Sequence, residues 1–217
     1  MLALMGSAGR YVLQMLPLGC LALVLFLLLC PLRARHLASR GLTSSREREV
    51  LLALFVFFCA GLAALTLFPA DLWTLHWGSR TLGSFYPPWE ETAAGLALLP
   101  DMLTPFQEIR RALRTGSSWL MFMLLGNILM FMPLGFCVPL LWRGWRWWKV
   151  LPLGCLTSCA IEFTQFFIGR STDIDDLILN TAGALGGFVL WALCRRAFPR
   201  LTARFHCKPK EDAPWMC

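Results

Sequence analysis

Five apolar runs, at about residues 11–30, 50–68, 119–142, 150–168 and 174–194, are each long enough to cross a bilayer, which takes roughly 20 residues of helix. Nothing else limits the fold so strongly. The hydrocarbon core offers no partner for a backbone N–H or C=O, so each spanning run closes its own hydrogen bonds as a helix. The expected fold is all-α: a polytopic membrane helix bundle of about five transmembrane helices plus an extracytoplasmic interfacial helix. Composition agrees. The chain is 57% hydrophobic and 15% charged, against about 25% charge in soluble domains. The first run is too long, and too far from a small-residue cleavage site, for a removed signal peptide. It is expected to be retained.

The net charge of +7 does not point to nucleic acid, because the basic residues lie between apolar runs rather than on a soluble face. Arg33, Arg35, Arg40, Arg46 and Arg48 follow the first run. Arg143, Arg146 and Lys149 follow the third. Arg195, Arg196, Arg200, Arg204, Lys208 and Lys210 follow the fifth. These make 14 of the 20 basic residues. The other side holds Arg10, Arg80, Arg110, Arg111, Arg114 and Arg170. Arginine and lysine favour the cytoplasmic side. The expectation is a multi-pass plasma-membrane protein with its amino terminus outside and its carboxyl terminus in the cytoplasm. Trp73, Trp77 and Trp89 suit one interfacial belt, and Trp142, Trp145, Trp147 and Trp148 the other.

Seven of the nine cysteines fall inside the runs, and Cys207 and Cys217 fall in the tail. Reduced thiols acting as small apolar residues are expected. His36, His76 and His206 are scattered, and no spacing suits zinc.

Four segments follow: an amino-terminal transmembrane hairpin (1–70), an extracytoplasmic loop with an interfacial helix (71–118), a three-helix core (119–198) and a basic cytoplasmic tail (199–217). In the loop, Thr104 suits a helix cap, Pro105 the first helical position and Gln107 the close of a capping box. Phe106, Ile109 and Leu113 then share one face, which suits a helix lying in the interface or packed on the bundle. Within the third run Asn127 follows Gly126, and Pro133 and Gly135 are expected to kink or loosen the helix. In the fifth run Gly183 and Gly187, four apart, form a small-xxx-small seam for close helix packing.

The fourth and fifth runs join through IEFTQFFIGRSTDIDDLILN, the one dense polar cluster in the chain. A carboxylate in the membrane costs on the order of 2.5–3.5 kcal/mol on insertion scales unless paired or wetted, which makes Glu162 a functional candidate by default. At about 1.5 Å rise per residue, Glu162 and Asn180 each lie roughly 9 Å from the outer ends of their helices and Asn127 roughly 12 Å. Gln165 shares a face with Glu162. Arg170, Asp173, Asp175 and Asp176 sit just above. Structural roles stand beside functional ones: Asp173 suits a helix N-cap, Asp176 suits the third position, and first-turn carboxylates favour the helix dipole.

The stretches LTPFQEIRR, GNILMFMPLGF and IEFTQFFIGRSTDIDDLILNTAGALGG together resemble the VanZ-like membrane proteins over about residues 100–195. By position, the resemblance marks Asn127, Pro133, Gly135, Glu162, Gln165, Arg170, Asp173, Asp175, Asp176, Asn180 and Gly183. That family takes its name from an accessory protein of resistance to the glycopeptide teicoplanin. The resemblance implies a role at the cell envelope. It carries over no catalytic assignment.

Three readings remain open. The leading one is a protein whose outward polar pocket binds an anionic membrane lipid or lipid-linked cell-wall precursor. Arg170 would meet the phosphate, and Asp173, Asp175 and Asp176 offer hard oxygen ligands for a bridging Mg²⁺ or Ca²⁺, the one cofactor the sequence raises. The second is an enzyme on a lipid-linked substrate with Glu162 as general acid or base. The third is a non-catalytic partner of another membrane protein.

Overall fold

The computed structural model describes residues 2–68, 104–167 and 173–209. Seven helices follow in chain order: α1 (Leu2–Ser39), α2 (Arg46–Leu67), α3 (Gln107–Thr115), α4 (Ser118–Leu141), α5 (Trp147–Phe167), α6 (Ile174–Ala197) and α7 (Pro199–Ala203). Two short strands, β1 (Leu42–Thr43) and β2 (Lys208–Pro209), complete the described fold. The part of α1 from Val12 onward, with α2, α4, α5 and α6, supplies five helices long and apolar enough to cross a membrane. The chain is an all-α, multi-pass membrane bundle. Leu28, Leu54, Leu156, Phe163 and Leu193 point outward, as a surface facing hydrocarbon requires. The eight cysteines among the described residues are all free thiols. Trp73, Trp77 and Trp89, and most of the 71–118 loop, lie outside the described residues.

Helix α1 continues to Ser39, well past the end of its apolar run. Arg33 lies on this extension. It grips Glu49 with both carboxylate contacts, at 2.7 and 2.8 Å, and its guanidinium sits 4.6 Å from the Phe26 ring centre. A long side chain of this kind lets a helix run on while its charge stays at the polar edge. Helix α2 opens with Ser45, whose hydroxyl caps the Arg48 N–H at 3.2 Å. Gly19 abuts Phe57 and Gly61 abuts Met15, so α1 and α2 lie close. Gln14 donates to the Ala64 carbonyl at 3.4 Å.

Helix α6 is the centre of the bundle. A β-carbon at Gly135 would collide with the Ala184 carbonyl. One at Gly183 or Gly187 would collide with the Ile128 or Met132 carbonyl. Backbone therefore meets backbone along the α4–α6 seam, which is how membrane helices gain contact without a hydrophobic driving force. Helix α4 runs through both Pro133 and Pro139, since a membrane helix tolerates the missing N–H bond where neighbours pack closely. Apolar clusters fasten the hairpin to this core. Phe26, Leu52, Phe55, Val138 and Leu141 form one, and Leu62, Phe131 and Ile161 form the other.

The described part of the basic tail, residues 199–209, is folded. Strand β2 pairs antiparallel with β1, Leu42 opposite Pro209 and Thr43 opposite Lys208. The Ser45 hydroxyl also donates to the Arg204 carbonyl at 2.8 Å. Two-residue strands carry no periodicity for a sequence reading to detect.

Candidate functional site

The polar cluster collects where α5 ends and α6 begins. Its three aspartates turn to three different helices. Asp173 is the N-cap of α6 and accepts from the Asp175 N–H at 2.9 Å. Burial holds the Asp173 carboxyl above its ordinary range; the Asp175 backbone hydrogen bond opposes this, and the charges of Asp175 and Glu108 add to it. Asp176 accepts from the Asn127 side-chain amide of α4.

Asp175 is fully buried. Its carboxylate accepts three backbone N–H groups at the start of α3: Phe106, Glu108 at 2.9 Å and Ile109 at 3.1 Å. The first turn of a helix leaves its N–H groups without intrahelical partners and carries positive partial charge. A buried carboxylate meets both needs. The expected capping by Thr104, Pro105 and Gln107 is therefore corrected. Helix α3 starts at Gln107, and its N-cap, Phe106, makes no side-chain cap bond. Phe106 sits in the left-handed region at φ 65°, a strain of about 1–2 kcal/mol. Hydrogen bonds to a charged acceptor, about 1.5–3 kcal/mol each, offset it. Ala112 is fully buried and Ile109 is half-buried, while Phe106 and Leu113 are exposed.

Glu162 and Gln165 share a buried face of α5. Glu162 accepts from the Asp173 N–H at 3.3 Å. Gln165 turns the other way and donates to the Thr66 carbonyl at 3.2 Å, near the end of α2. On α6, Asn180 donates to the Ser158 hydroxyl of α5 at 2.9 Å. Its own carbonyl oxygen, buried, has no hydrogen-bond partner. The cluster thus brings Asn127, Glu162, Asp173, Asp175 and Asp176 together through α6, while Gln165 and Asn180 face separate neighbours. Arg170 lies outside the described residues.

The aspartates diverge, so the expected shared cation cradle is not formed. Among the described residues no group of three or more His, Cys, Asp or Glu side chains could hold a metal ion. Ser158 and Thr66 also belong to the polar framework, and the sequence pattern singles out neither. A hydroxyl one turn from Glu162 was the only available signal.

The VanZ/LLP1 family model matches residues 55–195. No curated protein and no solved structure matches the chain. The matched segment is well over half of the sequence and begins within α2, so it takes in the Thr66 carbonyl as well as every helix that carries the polar cluster. On that match, joined to five apolar spans and an α4–α6 seam ending in bracing aspartates, the chain belongs to the VanZ/LLP1 family of membrane proteins.

Proposed function

We propose that the acidic end is an outward-facing polar pocket that binds an anionic envelope lipid or a lipid-linked cell-wall intermediate. The arginine and lysine bias supports this orientation, with the amino terminus outside and the carboxyl terminus cytoplasmic. Arg170 would supply the charge for a phosphate, and its planar fork suits that group better than a lysine would. Asn127, Glu162, Gln165 and Asn180 would line the polar side. Asp175 is a bracing residue, and Asp173 and Asp176 form the rim.

The observation that carries the reading is the Asn180 carbonyl oxygen, buried in a membrane helix with no donor among the described residues. Such a group costs about 1–3 kcal/mol unless something satisfies it, and a hydroxyl beside a lipid phosphate has that chemistry. The Ser158 hydroxyl is already engaged by the Asn180 amide, which supports binding over nucleophilic catalysis. In the setting that gave the family its name, an occupied pocket would lower glycopeptide access, teicoplanin included.

Native mass spectrometry of the purified full chain is the test. Wild type should retain a phosphate-bearing lipid. Arg170→Gln and Asn180→Leu should each retain one lipid fewer than wild type while remaining folded. A chelator should change nothing, because the aspartates diverge. Equal retention by both variants would overturn the reading.

A further inference from the structure

At the opposite end of α6 lies a second, chemically opposite site. A cavity of about 470 Å³ opens between the α4–α5 turn, the last turns of α6 and the α7 tail. Small-molecule sites generally fall in the range of about 300–1,000 Å³. Arg143, Trp145, Trp191, Arg195, Thr202 and His206 line it. Between Asp176 and Arg195 the helix rises roughly 28 Å, at about 1.5 Å per residue, so this cavity is separate from the acidic cluster.

Three features make it a built site rather than a surface dent. First, among the described residues no carboxylate pairs with Arg143 or Arg195, whereas Arg33 and Arg111 are paired. Second, the Arg195 guanidinium rests on the Trp191 ring, 5.4 Å from its centre, which fixes its position without neutralising it. Third, Trp191 is only 5% exposed, and its buried indole N–H has no acceptor among the described residues. An indole nitrogen is a donor only. Among the described residues the cavity thus presents two cations and no matching negative group, with an unused donor buried in its wall. His206 adds to this. Its Nδ1 is buried and has no partner among the described residues. Arg48 of α2 also acts on His206 electrostatically, along with Arg143 and Arg195.

We infer that this basic cavity binds a phosphate-bearing anion, held by Arg143 and Arg195 with the Trp191 indole N–H as a third donor. Arginine guanidinium groups recognise phosphate by paired, charge-assisted hydrogen bonds. The apolar walls from Trp145 and Pro139 leave room for the carbon skeleton next to the phosphate. A lipid headgroup and a soluble phosphate share this chemistry. Neither the proposed pocket at the acidic end nor Arg170 enters the argument.

The test uses the purified full chain in detergent, with phosphatidic acid, phosphatidylglycerol and phosphatidylcholine titrated by native mass spectrometry. Wild type should bind the two anionic lipids more tightly than the zwitterionic one. Arg143→Gln with Arg195→Gln should weaken anionic binding at least about tenfold, since each charged contact contributes roughly that factor. Trp191→Phe keeps the ring and removes only the N–H, and should weaken binding about threefold to tenfold. All of these proteins carry Arg170→Gln as their background, which removes the contribution of the pocket proposed at the other end, so the anionic binding that remains reads the basic cavity. Displacement of the lipid by inorganic pyrophosphate at comparable concentration would assign the site to a soluble phosphate; no displacement would assign it to lipid. Anionic binding equal in wild type and the folded double arginine variant would overturn the inference. Unchanged thermal unfolding of Trp191→Phe together with unchanged binding would remove the indole from the site and overturn its stated role.

Discussion

At the acidic end of α6 every described aspartate already holds a backbone N–H or an amide, whereas at the basic end two arginines line a cavity that has no carboxylate among its described residues. Both ends look equally charged in the sequence. They differ in what the charge is for. A carboxylate suits a helix N-terminus because it satisfies orphan N–H groups and the dipole at once. An arginine resting on a tryptophan satisfies no such need of the fold. The acidic end is thus chiefly a junction of helix starts, with Glu162, Asn180 and Arg170 left as the candidates for ligand contact. The basic end is chiefly a receptor.

The comparison is easiest to break at the junction. Asp175→Ala should be the most damaging of these changes, costing about 3–5 kcal/mol by leaving three N–H groups at the start of α3 without their acceptor. Thermal unfolding in detergent would show it, and limited proteolysis should find α3 released. A loss under about 1 kcal/mol would mean the junction is not structural. Next comes the seam. Gly187→Val must push the Met132 carbonyl away, and overpacking typically costs about 1–3 kcal/mol or more. Asn127→Leu, which removes the amide that donates to Asp176, should cost about 1–3 kcal/mol.

At the basic end the expected pattern reverses. Arg195→Gln should change unfolding by no more than about 1 kcal/mol, as for exposed charges generally, yet it should reduce anion binding. If its stability cost matched that of Asp175→Ala, the two ends would not differ in kind.

The smallest effect concerns pH. Burial, followed by Arg143, lowers the pKa of His206; the backbone bond to Leu141 opposes this, and Arg195 and Arg48 lower it further. His206 is therefore neutral at pH 7. Its contribution to stability is complete above the ordinary histidine value of about 6.5 and is lost as pH falls through the lower folded value. Ligand-free protein should lose a little stability from pH 7 to pH 5.5, and His206→Asn should remove that slope. A bound anion should oppose it. Identical pH profiles for wild type and His206→Asn would contradict this.

Much of the fold was legible in the sequence because membrane helices are written as long apolar runs. The bounds of α4, α5 and α6 differ from the runs by only a few residues. The rest lay in contacts distant along the chain. Asp175 reaches Phe106, 69 residues upstream, so a local reading found a plausible capping box at Thr104 instead of the carboxylate that does the capping. The extension of α1 to Ser39 was hidden because arginines mark the end of an apolar run but not the end of a helix. The basic cavity was missed for a similar reason. Arg143, Arg195 and His206 sit on three segments, and the same residues served fully as an orientation signal. Trp191 and Arg195, four apart on one helix face, were the one local sign of it.

The central claim, that the acidic end is a junction in which Asp175 holds the start of α3, is tested most directly by hydrogen exchange on the backbone amides of Phe106, Glu108 and Ile109. In wild type these three should be protected although they belong to a helix's first turn, where such amides otherwise lack partners. In Asp175→Asn their exchange should accelerate by at least about tenfold, as expected for losing a hydrogen bond to a charged acceptor. Amides in the middle of α4 should keep their protection. Unchanged exchange at the three amides in a folded Asp175→Asn protein would contradict the account.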